Sequence, residues 1–149
     1  MRLLLALLLV LTLSCASGNK FKSFPVPMYP HAFLIDHKNV DIKPGQVSYV
    51  MQLMSAHFKD PRVDEAFRHV TIIVTDEIEP TLDGYVVNGT IIFARQTMIT
   101  DSIGKTAIPH ELLHVALRAI TGTTDHDHKN KLWTEWLPKF KQDLIHRGI

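Results

Sequence analysis

No other part of the chain constrains its fold as tightly as residues 108–122, IPHELLHVALRAITG. Leu112, Leu113, Ala116, Leu117 and Ile120 recur at helical spacing, so the stretch reads as an amphipathic helix with one buried face. Gly122 follows the last periodic residue, where helices commonly stop in a left-handed conformation. Pro109 would cost a helix interior about 3 kcal/mol, which places it in the first turn or at a kink there. On this helix His110 and His114 lie one turn apart on the same side, with Glu111 beside them. Two imidazoles at that separation can share one metal ion, and an adjacent carboxylate can take a proton from water bound to it.

The run His110-Glu111-Leu112-Leu113-His114 resembles the active-site helix of the zincin superfamily of metallopeptidases. The resemblance is sharp over these residues and architectural elsewhere. It implies Zn2+ as cofactor, His110 and His114 as ligands and Glu111 as the general base. In that chemistry zinc lowers the pKa of its bound water to about 7, and the base passes the proton on to the leaving amine. Metzincins carry a Gly and a third His further along the helix, where this chain has Leu117 and Ile120. Thermolysin-like enzymes use a more distant Glu in an E-x-x-x-D run; Glu135 stands at a tolerable distance, but Lys139 occupies the Asp position. Gly122-Thr123-Thr124-Asp125 matches the G-T-x-D letters of aspzincins without the Tyr-Gly that follows them there, and its gap from His114 is short.

A catalytic zinc site takes three protein ligands and keeps one open position. The loop Asp125-His126-Asp127-His128 is the first that can return to the metal after Gly122. His128 is the first choice for third ligand, His126 the second and Asp125 the third, with Glu135 a further alternative. Asp125 or Asp127 would then orient a ligand histidine. Read without a metal, the loop is an ordinary polar connector.

Met1-Arg2 and the apolar run that follows predict a secretory signal peptide over residues 1–14. The run is shorter than the about 20 residues a membrane-spanning helix needs. Cys15 is the only cysteine of the chain, which excludes an intrachain disulfide. Leu13-Ser14-Cys15-Ala16 resembles a bacterial lipoprotein processing site, with Thr12 where Leu is usual. The resemblance implies that Cys15 is lipidated and anchors the protein to a membrane. Ala16 implies sorting to the outer membrane, the alternative being a soluble secreted or periplasmic product. Sixteen Lys and Arg stand against 15 Asp and Glu. That balance gives no electrostatic reason to expect nucleic acid as a partner.

Residues 15–30 read as a lipidated, flexible tether: Ser17, Gly18 and Asn19 loosen it, and Pro25, Pro27 and Pro30 extend it. Residues 31–149 are then a single domain, in which His31 and His37 are bystanders. Val47, Val50, Met51, Met54 and Phe58 mark the core face of a helix opened by Asp41 or Pro44. Asp60 caps a second, short helix with Pro61 at its first position. Residues 69–75 form a strand by their β-branched content. Asp76, Glu77 and Glu79 read as a solvated loop. Residues 84–87 and 90–95 flank Asn88-Gly89, a type I′ hairpin signal; Asn88-Gly89-Thr90 also fits a glycosylation acceptor. Trp133, Trp136, Leu137, Phe140 and Leu144 line one face of a terminal helix covering the metal helix, kinked or divided at Pro138.

This order predicts an α+β fold: a compact zincin-like domain whose small sheet, with its hairpin, packs on the active-site helix. Residues 90–95 are the candidate edge strand for binding an extended substrate. The expected function is zinc-dependent hydrolysis of peptide bonds in the bacterial cell envelope, on protein or peptidoglycan peptides. The alternatives are a non-catalytic envelope lipoprotein with a structural or cargo zinc, closed by both His126 and His128, and an adaptor lipoprotein whose histidine motif is fortuitous.

Overall fold

The β-branched run Ile72-Ile73-Val74 builds the middle of a sheet. In the computed structural model, which describes residues 22–36, 42–95 and 102–149, the strands are β1 (Lys22–Val26), β2 (Tyr29–Asp36), β3 (Thr71–Thr75), β4 (Gly84–Val87) and β5 (Ile91–Arg95). They hydrogen-bond in the order β1-β2-β3-β5-β4. The inner strands β2, β3 and β5 run parallel, and β1 and β4 close the edges antiparallel. Ile72, Ile73 and Val74 are all buried, as a central parallel strand requires. The fold is thus mixed α+β, as expected, with a parallel centre that the strand patterns alone did not reveal.

Two expectations change. Residues 22–30 are not tether: they form β1 and the start of β2. Val26, Tyr29, Ala32 and Leu34 turn inward and join the core. Their burial outweighs the proline signal, and Pro25 falls on an edge strand, where a missing N–H is tolerated. Nor are residues 90–95 an edge. β5 is paired on both sides, with β3 and β4, so its backbone groups are spent. The edge beside the Ile108–Thr121 helix is β4, because the hairpin folds its second strand into the sheet. That hairpin turns as its Asn-Gly pair demands: Asn88 and Gly89 have φ of 54° and 76°, and the Thr90 N–H donates to the Val87 carbonyl at 3.3 Å.

The helices are α1 (Pro44–Phe58), α2 (Pro61–Phe67), α3 (Ile108–Thr121) and α4 (Leu137–His146). Asp60 caps α2 by accepting the Arg62 N–H at 2.9 Å. Pro44 opens α1 from Lys43, and Val47, Val50, Met51 and Met54 bury its core face. Leu112, Leu113 and Ala116 of α3 meet these residues and Leu34, Ile72, Ile92 and Ala94 of the sheet in one core. The terminal helix divides as Pro138 dictates: Leu132–Trp136 is a π-helical turn, and α4 starts at Leu137 with the proline in its first turn. Gly104, in the short 3-10 turn Ile103–Lys105, lets α4 approach closely. A Cβ there would stand 2.9 Å from the Lys141 carbonyl oxygen and 2.9 Å from Leu144 Cβ. The seating of α4 fixes the height of Lys141 over α3, which matters below.

The expected signal peptide, Cys15, His37 and residues 96–101 lie outside the described residues. Among the described residues no helix is long and apolar enough to cross a membrane.

Candidate metal centre

Pro109 sits in the first turn of α3 and Gly122 ends it at φ 82°, so the helix has the bounds its sequence demands. The core face of α3 carries its polar edge inward with it. Glu111 and His114 are only 4% and 5% exposed, and His110 is half-buried. The rings of His110 and His114 lie 5.0 Å apart, centre to centre.

The third imidazole comes from the loop after Gly122. His128 Nε2 lies 3.1 Å from His110 Nε2 and 3.3 Å from His114 Nε2. All three ligand nitrogens fall within 4.8 Å of one another, and among the described residues these three side chains form the group able to hold a metal ion. Tetrahedral bonds of about 2.0–2.1 Å to a shared ion such as Zn2+ put ligand nitrogens about 3.3–3.4 Å apart. A neutral imidazole has one N–H, which cannot serve both close contacts of His128. A shared cation satisfies all three lone pairs at once, so the residues present fit such an ion.

Tautomers agree with this. His114 Nδ1 contacts the Thr124 carbonyl at 2.5 Å. A carbonyl only accepts, so Nδ1 carries the proton and Nε2 turns a lone pair to the cluster. Burial lowers the pKa of His114. It pushes His110 down to about 4, helped by the repulsion that His114 and His128 would exert if protonated and that Lys141 exerts. Both rings therefore stay neutral, the form that binds metal, at ordinary pH. Burial alone pushes the Glu111 carboxyl up to about 8. A cation beside it would act in the opposite direction. Its Oε1 lies against Gly84 of β4, where a Cβ would come within 3.0 Å.

Asp125, expected to bind the metal or to orient a ligand histidine, holds the loop instead. The Asp125 carboxylate accepts from Asn130 N at 2.9 Å, Lys129 N at 3.2 Å and Trp133 Nε1 at 2.6 Å. It braces the loop instead of binding metal. The histidine-orienting role assigned to Asp125 or Asp127 falls to the Thr124 carbonyl, while Asp127 pairs with Lys129 at 2.8 Å. His126, the alternative third ligand, is exposed; its ring is 5.5 Å from that of His114, and it stands outside the three-ligand group, as does exposed Glu135. His31 stacks on His69 and takes no part.

Sequence reasoning placed Trp133 on a covering face but missed its closeness to the centre. Its ring lies 4.4–4.8 Å from those of His110, His114 and His128, walling one side of the cluster. Trp133→Ala removes both that wall and the bond to Asp125. The variant should bind zinc about 10–100-fold more weakly, as losses behind metal ligands usually do. Competition against a chromophoric chelator measures it, and unchanged affinity would deny Trp133 that role.

On its other side the centre opens into a cleft of about 240 Å³, where His110 and Glu111 face Asp83, Gly84, Thr106 and Lys141. Lys141 Nζ donates to the Thr106 carbonyl at 2.9 Å. Burial lowers its pKa and Asp83 opposes that shift. Nothing in the linear pattern marks Lys141, which reaches the cleft only through the seating of α4. Comparison of the chain with protein-family models, curated proteins and solved structures found no match.

Proposed function

We propose that this chain is a zinc-dependent metallopeptidase of zincin type, with His110, His114 and His128 as ligands and Glu111 as general base. The observation that carries the reading is the convergence of three imidazole nitrogens at tetrahedral-ion spacing, next to a buried carboxyl that faces an open cleft. Three ligands leave a fourth position for water, whereas a structural clip needs a fourth protein ligand. His126, the residue expected to supply it, stands outside the group.

Bound zinc would supply Lewis acidity and a water of lowered pKa. The protein's part follows from its own groups. Glu111 takes the proton of the attacking water and returns it to the leaving amine. The Thr124 carbonyl keeps His114 in its ligating tautomer. Among the described residues β4 is paired on one side only, and its other side offers backbone groups beside Glu111 to an extended peptide, as β-augmentation requires. The test is joint. The purified chain is assayed for bound zinc and for cleavage of a degenerate peptide mixture, read by mass spectrometry. Zinc near one equivalent with chelator-sensitive cleavage is the expected result; a chain that takes up no zinc ends the proposal.

The setting is the bacterial envelope, supported by the apolar run after Arg2 and by Cys15 at its end. Cys15→Ser should abolish incorporation of a labelled fatty acid during expression in a bacterial host, and unchanged labelling would remove the anchor.

A further inference from the structure

We propose that Lys141 selects the substrate: its ammonium binds a carboxylate that the peptide carries next to the bond to be cut. This rests on the metallopeptidase reading and adds to it a substrate class, peptides with an acidic side chain or a free C-terminal carboxylate at the cleft.

Among the described residues the Lys141 ammonium is short of partners. It has three N–H donors, and among the described residues its one hydrogen bond goes to a neutral acceptor, the Thr106 carbonyl. Among the described residues no carboxylate forms an ion pair with it. A half-buried cation that no described carboxylate contacts, with Asp83 acting on it only through space, has given up hydration for little in return, and a ligand anion restores the balance. The position is also right. Lys141 lines the same cleft as Glu111 and His110, and its charge acts on His110. A carboxylate held there lies close to a bond presented to the metal centre. Lys105 lines the same cleft and adds a second positive charge. Asp83, also in the lining, works against an incoming anion. It therefore makes a second, opposite handle on the same property.

The test has two arms. In the first, N-acetyl-alanine and its uncharged amide are titrated into the metal-free full chain and followed by NMR, since a carboxylate would otherwise also ligate zinc. The carboxylate should bind about tenfold more tightly than the amide, a margin that Lys141→Met removes, Lys141→Arg keeps in part and Asp83→Asn widens. Equal binding of the two probes, or a Lys141→Met variant that keeps the margin, overturns the proposal. In the second, the zinc-loaded chain cleaves a degenerate peptide mixture. Sites beside Asp or Glu, or one residue from the chain end, should dominate and tell the two carboxylate sources apart. For those peptides Lys141→Met should raise KM about tenfold and leave kcat nearly unchanged. A fall of kcat on every peptide would make Lys141 a donor to the reaction oxyanion and refute the selective role. If the wild type cleaves nothing, the metallopeptidase reading fails, and the titration still decides the function of Lys141.

Discussion

Glu111→Gln is expected to keep its zinc and to lose about 10²–10⁴-fold in turnover, the usual contribution of a positioned general base. The substitution is nearly isosteric and leaves all three imidazoles in place, so metal content should not change. The folded chain should be no less stable either. Burial already pushes the Glu111 carboxyl up to about 8, so near neutral pH the metal-free fold keeps it largely protonated while the unfolded chain would ionise it, a cost that a neutral amide does not bear. The sign follows: a raised acid pKa means that the metal-free wild type loses stability as pH climbs from the ordinary carboxyl value toward 8, and the Gln variant does not. Initial rates and zinc analysis on the same preparation make the measurement. Full activity in Glu111→Gln would remove Glu111 from the mechanism.

His128→Ala should cost most of the zinc affinity and little of the metal-free stability. The ring is exposed and belongs to a loop outside the core, so its removal leaves no cavity. With free zinc at a thousandfold excess over its dissociation constant, the wild type gains about 4 kcal/mol of stability. For a domain of this size that corresponds to a rise in Tm of about 10 °C. His128→Ala should show only a small part of the rise, because two imidazoles on one helix hold the ion far more weakly than three. His126→Ala should retain it in full. Thermal unfolding with and without zinc separates the two variants. An equal shift in His128→Ala and wild type would locate the bound ion elsewhere, whereas loss of the shift in His126→Ala would exchange the two ligands.

Much of the centre is written locally. The helix, its proline start and its glycine stop follow from periodicity and backbone rules that need only neighbouring residues, and the pairing of His110 with His114 follows from helical pitch. The same holds for the Asn88-Gly89 turn and the Asp60 cap, each with a stringent backbone or hydrogen-bond demand over a few residues. What is not local was decided in three dimensions. The sequence puts His128 ahead of His126 as third ligand but holds no geometry that decides between them. The choice between them depends on left-handed backbone at Asp125 and His128, at φ 51° and 52°, and on the bond from Trp133 that clamps Asp125. The N-terminal proline-rich segment becomes two strands because distant helices offer its apolar residues a core. β4 rather than β5 is the edge because β3 pairs with the second strand of the hairpin. Lys141 reaches the cleft because Gly104 lets α4 settle against the turn before α3. Short-range sterics and helical pitch act within a few residues and can be read along a line. Burial, strand partnership and the meeting of side chains far apart in the chain depend on how the whole molecule closes on itself.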